Sequence, residues 1–386
     1  MGTSINIRKM KSILITGGAG FIGSTIALKL VAQGYNVTIL DSLTEQIHGK
    51  NPENSELYKR IKGKVNFIKG TITSRDDWHI ALEGQDAVIH LAAETGTGQS
   101  MYEIYKYCNT NIGGTALLLD ILANEKHSIK KVIVAESRAI YGEGTYNCPY
   151  CGTVYPVARE ESAMLAGDFN VKCPKCGANA ALVKTGEDSL IHPTSVYGIT
   201  KQVQGELVHI VCKSLGIPSV SFRYQNVYGP GQSLKNPYTG ILSIFSNSLR
   251  QNHDINIFED GTESRDFVYI DDVADATILA IDNDQCAYKA FNVGTGKAVD
   301  VMTVAKYLKE FYKSESKINI SGNFRLGDIR HNFADISLAQ SVLGYNPKFS
   351  FEDGLRNFCE WVLTQPIEED NYKKSLEEMK YKGLYK

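Results

Sequence analysis

The sequence predicts an α/β protein organised around a doubly wound parallel sheet. Three features carry that prediction. A strand, a glycine-rich turn and a helix open the chain; strand-like and helical stretches then alternate as far as residue 223; the second half has mixed short elements and many loops. Apolar residues fill 43% of the 386 positions and charged residues 22%, enough for one large core or two fused lobes. A net charge of -2 gives no bulk electrostatic basis for holding nucleic acid.

Residues 1–10 read as an extended leader without a motif. A short apolar strand, KSILIT (11–16), runs into Gly17-Gly-Ala-Gly20-Phe-Ile-Gly23, and a helical pattern covers 24–33. Glycines let the backbone approach a pyrophosphate, and the helix N-terminus offers free N–H groups and its positive end. A second strand, 36–40, ends in Asp41, 18 residues beyond Gly23. An acid there accepts hydrogen bonds from the adenosine ribose and repels a 2′-phosphate; with no arginine at 42–47, NAD is favoured over NADP. This is the signature of a Rossmann-type domain.

Strands are expected at 65–68, 87–91, 131–135 and 219–223, with helices at 76–82, 100–109, 114–124 and 201–215. The expected division is a dinucleotide-binding domain over 1–225, interrupted by an insert at 146–180, and a smaller α/β lobe over 226–386. Some segments of the latter return to the first domain. The stretch 226–242, rich in Gly, Pro and Asn, reads as a binding loop.

Ser137, Tyr197 and Lys201 carry the candidate chemistry. If Tyr197 and Lys201 share a helix, their spacing of four puts both on one face. The ammonium then favours the phenolate and lowers the tyrosine pKa from about 10. Such a phenol can exchange protons with an alcohol or carbonyl whose oxygen Ser137 also holds. Tyr-x-x-x-Lys alone reads equally well as an exposed helix pair.

Between Ser137 and Tyr197 lie Cys148-Pro-Tyr-Cys151-Gly and Cys173-Pro-Lys-Cys176-Gly. Two such knuckles offer four thiolates, which fill a tetrahedral shell, so a structural zinc-ribbon-like site is expected; a disulfide pair and an iron site are the alternatives. No secretory signal or bilayer-long apolar run is visible, and the paired thiols suit a reducing compartment, so a cytoplasmic protein without membrane association is expected. Cys108, Cys212, Cys286, Cys359, His90, His192, Trp78 and Trp361 read as packing residues.

Together the motifs TGGAGFIG (16–23), HLAA (90–93), Asn111-x-x-Gly-Thr115, IYG (140–142), Tyr197-x-x-x-Lys201, RYQNVYGP (223–230), RDFVYIDD (265–272), FNVGTG (291–296) and RLGD (325–328) run in order along nearly the whole chain. In them the chain resembles extended short-chain dehydrogenase/reductases of the nucleotide-sugar epimerase and dehydratase family. The resemblance implies that Tyr197 transfers the proton, Lys201 binds the nicotinamide ribose and Ser137 is the helper hydroxyl. It implies cofactor contacts at Gly17, Gly20, Phe21, Ile22, Gly23, Asp41, Leu91, Ala92, Ala93 and Thr110, with Asn111 structural. It implies that Asn226, Arg265 and Arg325 hold the substrate diphosphate, two guanidiniums suiting a dianion.

One departure stands out. Relatives carry Gly-Asp-(Ile/Leu) at the adenine contact, whereas this chain has Gly70-Thr71-Ile72, which leaves Thr71 and Ile72 as uncharged candidates there. Related 4,6-dehydratases place Asp-Glu after the helper hydroxyl, and this chain has Arg138 and Ala139. That leaves redox chemistry at one carbon and implies a 4-epimerase with tightly bound NAD acting on a nucleotide-diphosphate sugar. The strings HLAAETGTGQSMYE (90–103), NPYTGILSIFS (236–246) and FEDGTESRDFV (258–268) are similar to those of members acting on dTDP-L-rhamnose. UDP- and GDP-sugars stay open, as do a 4-ketoreductase or dehydrogenase and a nucleotide-binding regulatory protein. The resemblance also implies a homodimer, joined through 100–109 and 114–124.

Overall fold

The computed structural model describes residues 10–234, 240–367 and 372–386, with side chains from 376 in the last segment. The leader 1–9, residues 235–239 (which include the start of the NPYTGILSIFS string) and residues 368–371 lie outside the described residues.

Seven parallel strands form the central sheet: β1 (Ser12–Thr16), β2 (Asn36–Asp41), β3 (Asn66–Lys69), β4 (Ala87–His90), β5 (Lys131–Ser137), β6 (Ser219–Tyr224) and β7 (Lys289–Val293). Their order is β7-β6-β5-β4-β1-β2-β3. The chain winds outward from β1 to β3, then crosses back to place β4 on the other side of β1. That reversal opens a crevice at the carboxyl ends of β1 and β4, where such sheets bind ligands.

Both faces of the sheet are covered, so its strands read as continuous apolar runs. Ile13, Ile15, Ile39, Ile89 and Ile133 pack on one side with Ile26 and Leu30 of helix α1 (Phe21–Ala32). On the other side Leu14, Leu40, Val88, Val132 and Val134 meet Trp78, Leu118, Val208 and Cys212. The second half builds a separate apolar core around Leu242, Phe245, Phe267, Leu308, Leu355 and Phe358.

Two helices differ from expectation. The helix expected at 201–215 begins at Val196, because Ser195 caps it: its Oγ accepts from Gly198 N at 3.1 Å. This helix, Val196–Leu215, is α2. The stretch 100–109 is broken instead into Thr97–Ser100 and Ile104–Tyr107, followed by a π-helical turn, Cys108–Gly113, that runs on into Gly114–Asn124. Buried Asn111 holds the wider turn, its side chain bonding Glu94 N (2.7 Å), Glu94 O (3.1 Å) and Thr200 Oγ1 (2.9 Å). The segments 100–109 and 114–124 are therefore not two separate helices.

The cysteine segment forms its own antiparallel sheet from Tyr146–Cys148, Gly152–Val154 and Ala181–Leu182, packed on Tyr146, Val154 and Val171. Among the described residues no helix is long and apolar enough to cross a membrane.

Candidate active site

The glycine turn fits closely against the tip of β4. Gly17 has φ +68°, and a Cβ there would lie 2.8 Å from Ala92 N; a Cβ on Gly23 would lie 2.4 Å from Gly17 O. No side chain caps the N-terminus of α1 and its first turn holds no acid, so Phe21, Ile22 and Gly23 open a helix end suited to an anion. Asp41 braces the turn: Oδ2 accepts from Ala19 N at 2.9 Å and Oδ1 from Leu43 N at 2.8 Å. Burial pushes its carboxyl upward, against those two amides and nearby His48. Since a carboxylate offers about four acceptor sites, it keeps capacity for a diol.

Leu91 N bonds Thr16 O at 3.2 Å and Ala92 N bonds Thr16 Oγ1 at 3.2 Å; half-buried Ala93 follows. Thr71 N donates to Asp77 Oδ2 at 2.8 Å and its hydroxyl pairs with Thr73, while Ile72 is buried and its carbonyl accepts from Trp78 Nε1. Thr110 lies half-buried within the π turn. These groups fit a dinucleotide: an open helix end for the pyrophosphate, an acid for the ribose, and small residues at the strand tip.

Ser137 ends β5, and Tyr197 and Lys201 rise from the first turns of α2. The Tyr197 amide donates to Ser100 Oγ at 3.0 Å, and Ser137 bears on its phenol. Contrary to expectation, the phenol is not tuned downward by Lys201. Burial pushes it above the ordinary value, opposed by the Ser137 hydroxyl and by the charge of Arg138. Lys201 is buried, and its Nζ donates to Gln204 Oε1 at 2.9 Å. Desolvation lowers it to about 8, with Glu136 acting in the opposite sense.

Behind these residues runs a line of hydrogen bonds. Thr16 Oγ1 meets His90 Nδ1 (2.8 Å), His90 Nε2 meets Thr115 Oγ1 (3.0 Å), and Gln204 Nε2 donates to Thr115 Oγ1 (2.8 Å). His90 is fully buried and its pKa falls to about 3, so it is neutral across the ordinary range.

In the second half of the chain, Arg265 donates to the carbonyls of Ser264 (2.8 Å), Arg330 (2.9 Å) and Ile329 (2.8 Å). Arg325 pairs with Asp328 (Nε to Oδ2 2.8 Å) and lies 5.2 Å over the Phe258 ring. Asn226 Oδ1 is buried without a hydrogen-bond partner, an acceptor available to a donor entering the cleft.

Several groups around the site escaped sequence reasoning. Arg138 bears on Tyr197, and burial together with Arg265 pushes it down to about 9. Glu136 accepts from Arg223 Nε at 3.0 Å, and its carboxylate fills the notch left by Gly205 on α2. The available signals were a charge inside a buried strand and a glycine in mid-helix.

The thiols of Cys148, Cys151, Cys173 and Cys176 lie within 4.8 Å of one another. Tetrahedral zinc with bonds of about 2.3 Å sets sulfur–sulfur edges near 3.8 Å, and Cys148 Sγ to Cys176 Sγ is 3.5 Å. The donor set fits the ion.

The model of the NAD dependent epimerase/dehydratase family matches residues 13–161 and 176–294. The chain belongs to this family. It is an enzyme of the nucleotide-sugar epimerase group. It is 34% identical to a dTDP-L-rhamnose 4-epimerase of Burkholderia thailandensis, over 92% of this chain and 96% of that protein. Among solved structures it is similar to UDP-glucose 4-epimerase from Thermotoga maritima with UDP-glucose (29% identity, TM-score 0.74, 92% and 99% coverage). It is similar also to UDP-glucuronic acid 4-epimerase from Bacillus cereus with UDP-glucuronic acid and NAD (26%, TM-score 0.74, 92% and 99%).

Proposed function

We propose that this family member is an NAD-dependent nucleotide-sugar 4-epimerase. The observation that carries this reading is the placement of Tyr197 and Lys201 one turn apart on α2, with Ser137 at the end of β5 bearing on the phenol, at the carboxyl edge of the sheet that also carries the glycine turn. Bound NAD supplies a reversible hydride acceptor for C4 of the sugar. Tyr197 takes the C4 hydroxyl proton while Ser137 holds the same oxygen, giving a transient 4-keto sugar. Arg265 and Arg325 keep the diphosphate as the sugar turns over, and Tyr197 returns the proton to the inverted alcohol. Lys201 binds the nicotinamide ribose, and Asp41 its adenosine counterpart.

The likeness to the Burkholderia enzyme favours a dTDP-6-deoxyhexose, dTDP-L-rhamnose first. Incubation of the purified protein with dTDP-, UDP- and GDP-sugars, followed by NMR, should show C4 inversion without net NADH. Tyr197→Phe should lower the rate by about 10²-fold or more. Lasting stoichiometric NADH without inversion would establish a dehydrogenase instead. In the same reading the four cysteines hold a structural zinc. The protein works in the cytoplasm as a homodimer, and Ile104 and Tyr105 offer exposed apolar surface on the 104–124 helical run.

A further inference from the structure

The cysteine insert does not stand apart from the rest of the molecule. Met164 and Phe169 pack on Phe324, with the two phenyl rings 6.4 Å apart. Beside that patch is a nearly dry set of charges. Arg159, with only 4% of its side chain exposed, grips Glu259 with both terminal nitrogens (2.8 Å each) and donates to Asp328 O at 2.9 Å. Its Nε lies 3.3 Å from Glu143 Oε1. Glu259 is shared with Arg330 (2.6 Å), and Glu143 Oε2 accepts from Arg330 N at 2.8 Å.

These bonds converge on the turn 325–330. The same turn supplies two of the three carbonyls that orient Arg265, and it carries Arg325 with its partner Asp328. A guanidinium held by carbonyl oxygens keeps its charge, but its direction depends on where those oxygens sit. Tyr197, Ser137 and Lys201 stand on β5 and α2, outside this set of bonds. Toward α2 the turn makes a long bond, Thr194 Oγ1 donating to Gly327 O at 3.3 Å ahead of the Ser195 cap, so a shift of the turn moves the anion grip first and reaches the proton-transfer groups less.

We propose that Arg159 is a positioning residue for the substrate: through it the cysteine insert fixes the 325–330 turn and thereby aims Arg265 and Arg325. This rests on the reading of those two arginines as the diphosphate grip. Contacts to a diphosphate are made equally in ground and transition states, so their loss raises KM more than it lowers kcat.

The test uses the full chain with its NAD and metal. Titration calorimetry with dTDP, UDP and GDP, alongside steady-state kinetics, compares wild type with Arg159→Ala and Arg159→Lys. Arg159→Ala should weaken binding of the preferred diphosphate and raise KM by about tenfold or more, with kcat within about threefold. Lysine can meet one carboxylate oxygen but cannot span Glu259 and the Asp328 carbonyl together, so it should fall between the two. Cys173→Ser should raise KM in the same direction, and adding Arg159→Ala to it should give less than the product of the separate effects. If Arg159→Ala loses metal or NAD, Arg159→Lys decides. Wild-type Kd and KM in Arg159→Lys, or in a well-folded Arg159→Ala, would overturn the proposal. A wild-type protein that binds none of dTDP, UDP and GDP would overturn the reading of the arginines, and this inference with it.

Discussion

Replacing Gly205 by alanine tests the packing behind α2, because two rules predict opposite signs. In mid-helix, Gly→Ala ordinarily stabilises by about 0.5–1 kcal/mol. Here the added Cβ would lie 1.8 Å from Glu136 Oε1 and 2.5 Å from its Cδ. A free carboxylate would swing aside at little cost. Glu136 is only 5% exposed, however, and bonded to Arg223, which also reaches Tyr141 Oη (2.7 Å) and Glu187 O (2.8 Å). Displacing the carboxylate strands a buried guanidinium, and breaking such pairs costs about 3–5 kcal/mol. Gly205→Ala should therefore lose about 2–4 kcal/mol net, read as a lower urea midpoint at unchanged m. In a Glu136→Ala background the notch is empty, and the same substitution should stabilise by about 0.5–1 kcal/mol. A Gly205→Ala single variant at least as stable as wild type would refute the reasoning.

Glu136→Gln removes the charge that supports Lys201, so the Lys201 pKa should fall below about 8 and the alkaline limb of the epimerase pH profile should move to lower pH; an unmoved limb counts against the coupling. His90, His209 and His331 are pushed by burial to about 3, 4 and 4, so the unfolded chain binds more protons than the folded one below about 6.5. Stability present above that pH should drain away as pH falls toward 4, and His90→Gln should flatten the decline in urea midpoints. Cys173→Ser should remove one equivalent of zinc by elemental analysis and accelerate amide exchange over 146–182, with the sheet strands still protected. Retained metal would refute the four-thiolate site.

Much of the architecture was legible because both faces of the sheet are buried, which turns Ile13–Leu14–Ile15 and its counterparts into apolar runs with helices between. The glycine turn was legible for steric reasons, since only hydrogen fits between Gly17 and Ala92. The start of α2 was missed because a cap at Ser195 outweighs the proline two residues earlier. The π-helical turn at 108–113 was hidden because Asn111 bonds Glu94 across the fold, and no local periodicity reports a contact of that range. The electrostatics of Tyr197 were misjudged for a related reason. Spacing on a helix says which side chains share a face, but not that Lys201 would turn toward Gln204 and leave Arg138 as the cation acting on the phenol.

The line from Ala92 through Thr16, His90, Thr115 and Gln204 to Lys201 has a consequence for anyone redesigning this protein. It ties the strand tip beside the glycine turn to the buried amine on α2, so neither end can be re-tailored alone. Swapping Thr115 for a residue without a hydroxyl would break the line at its midpoint, and the disturbance should be felt in both halves of the crevice.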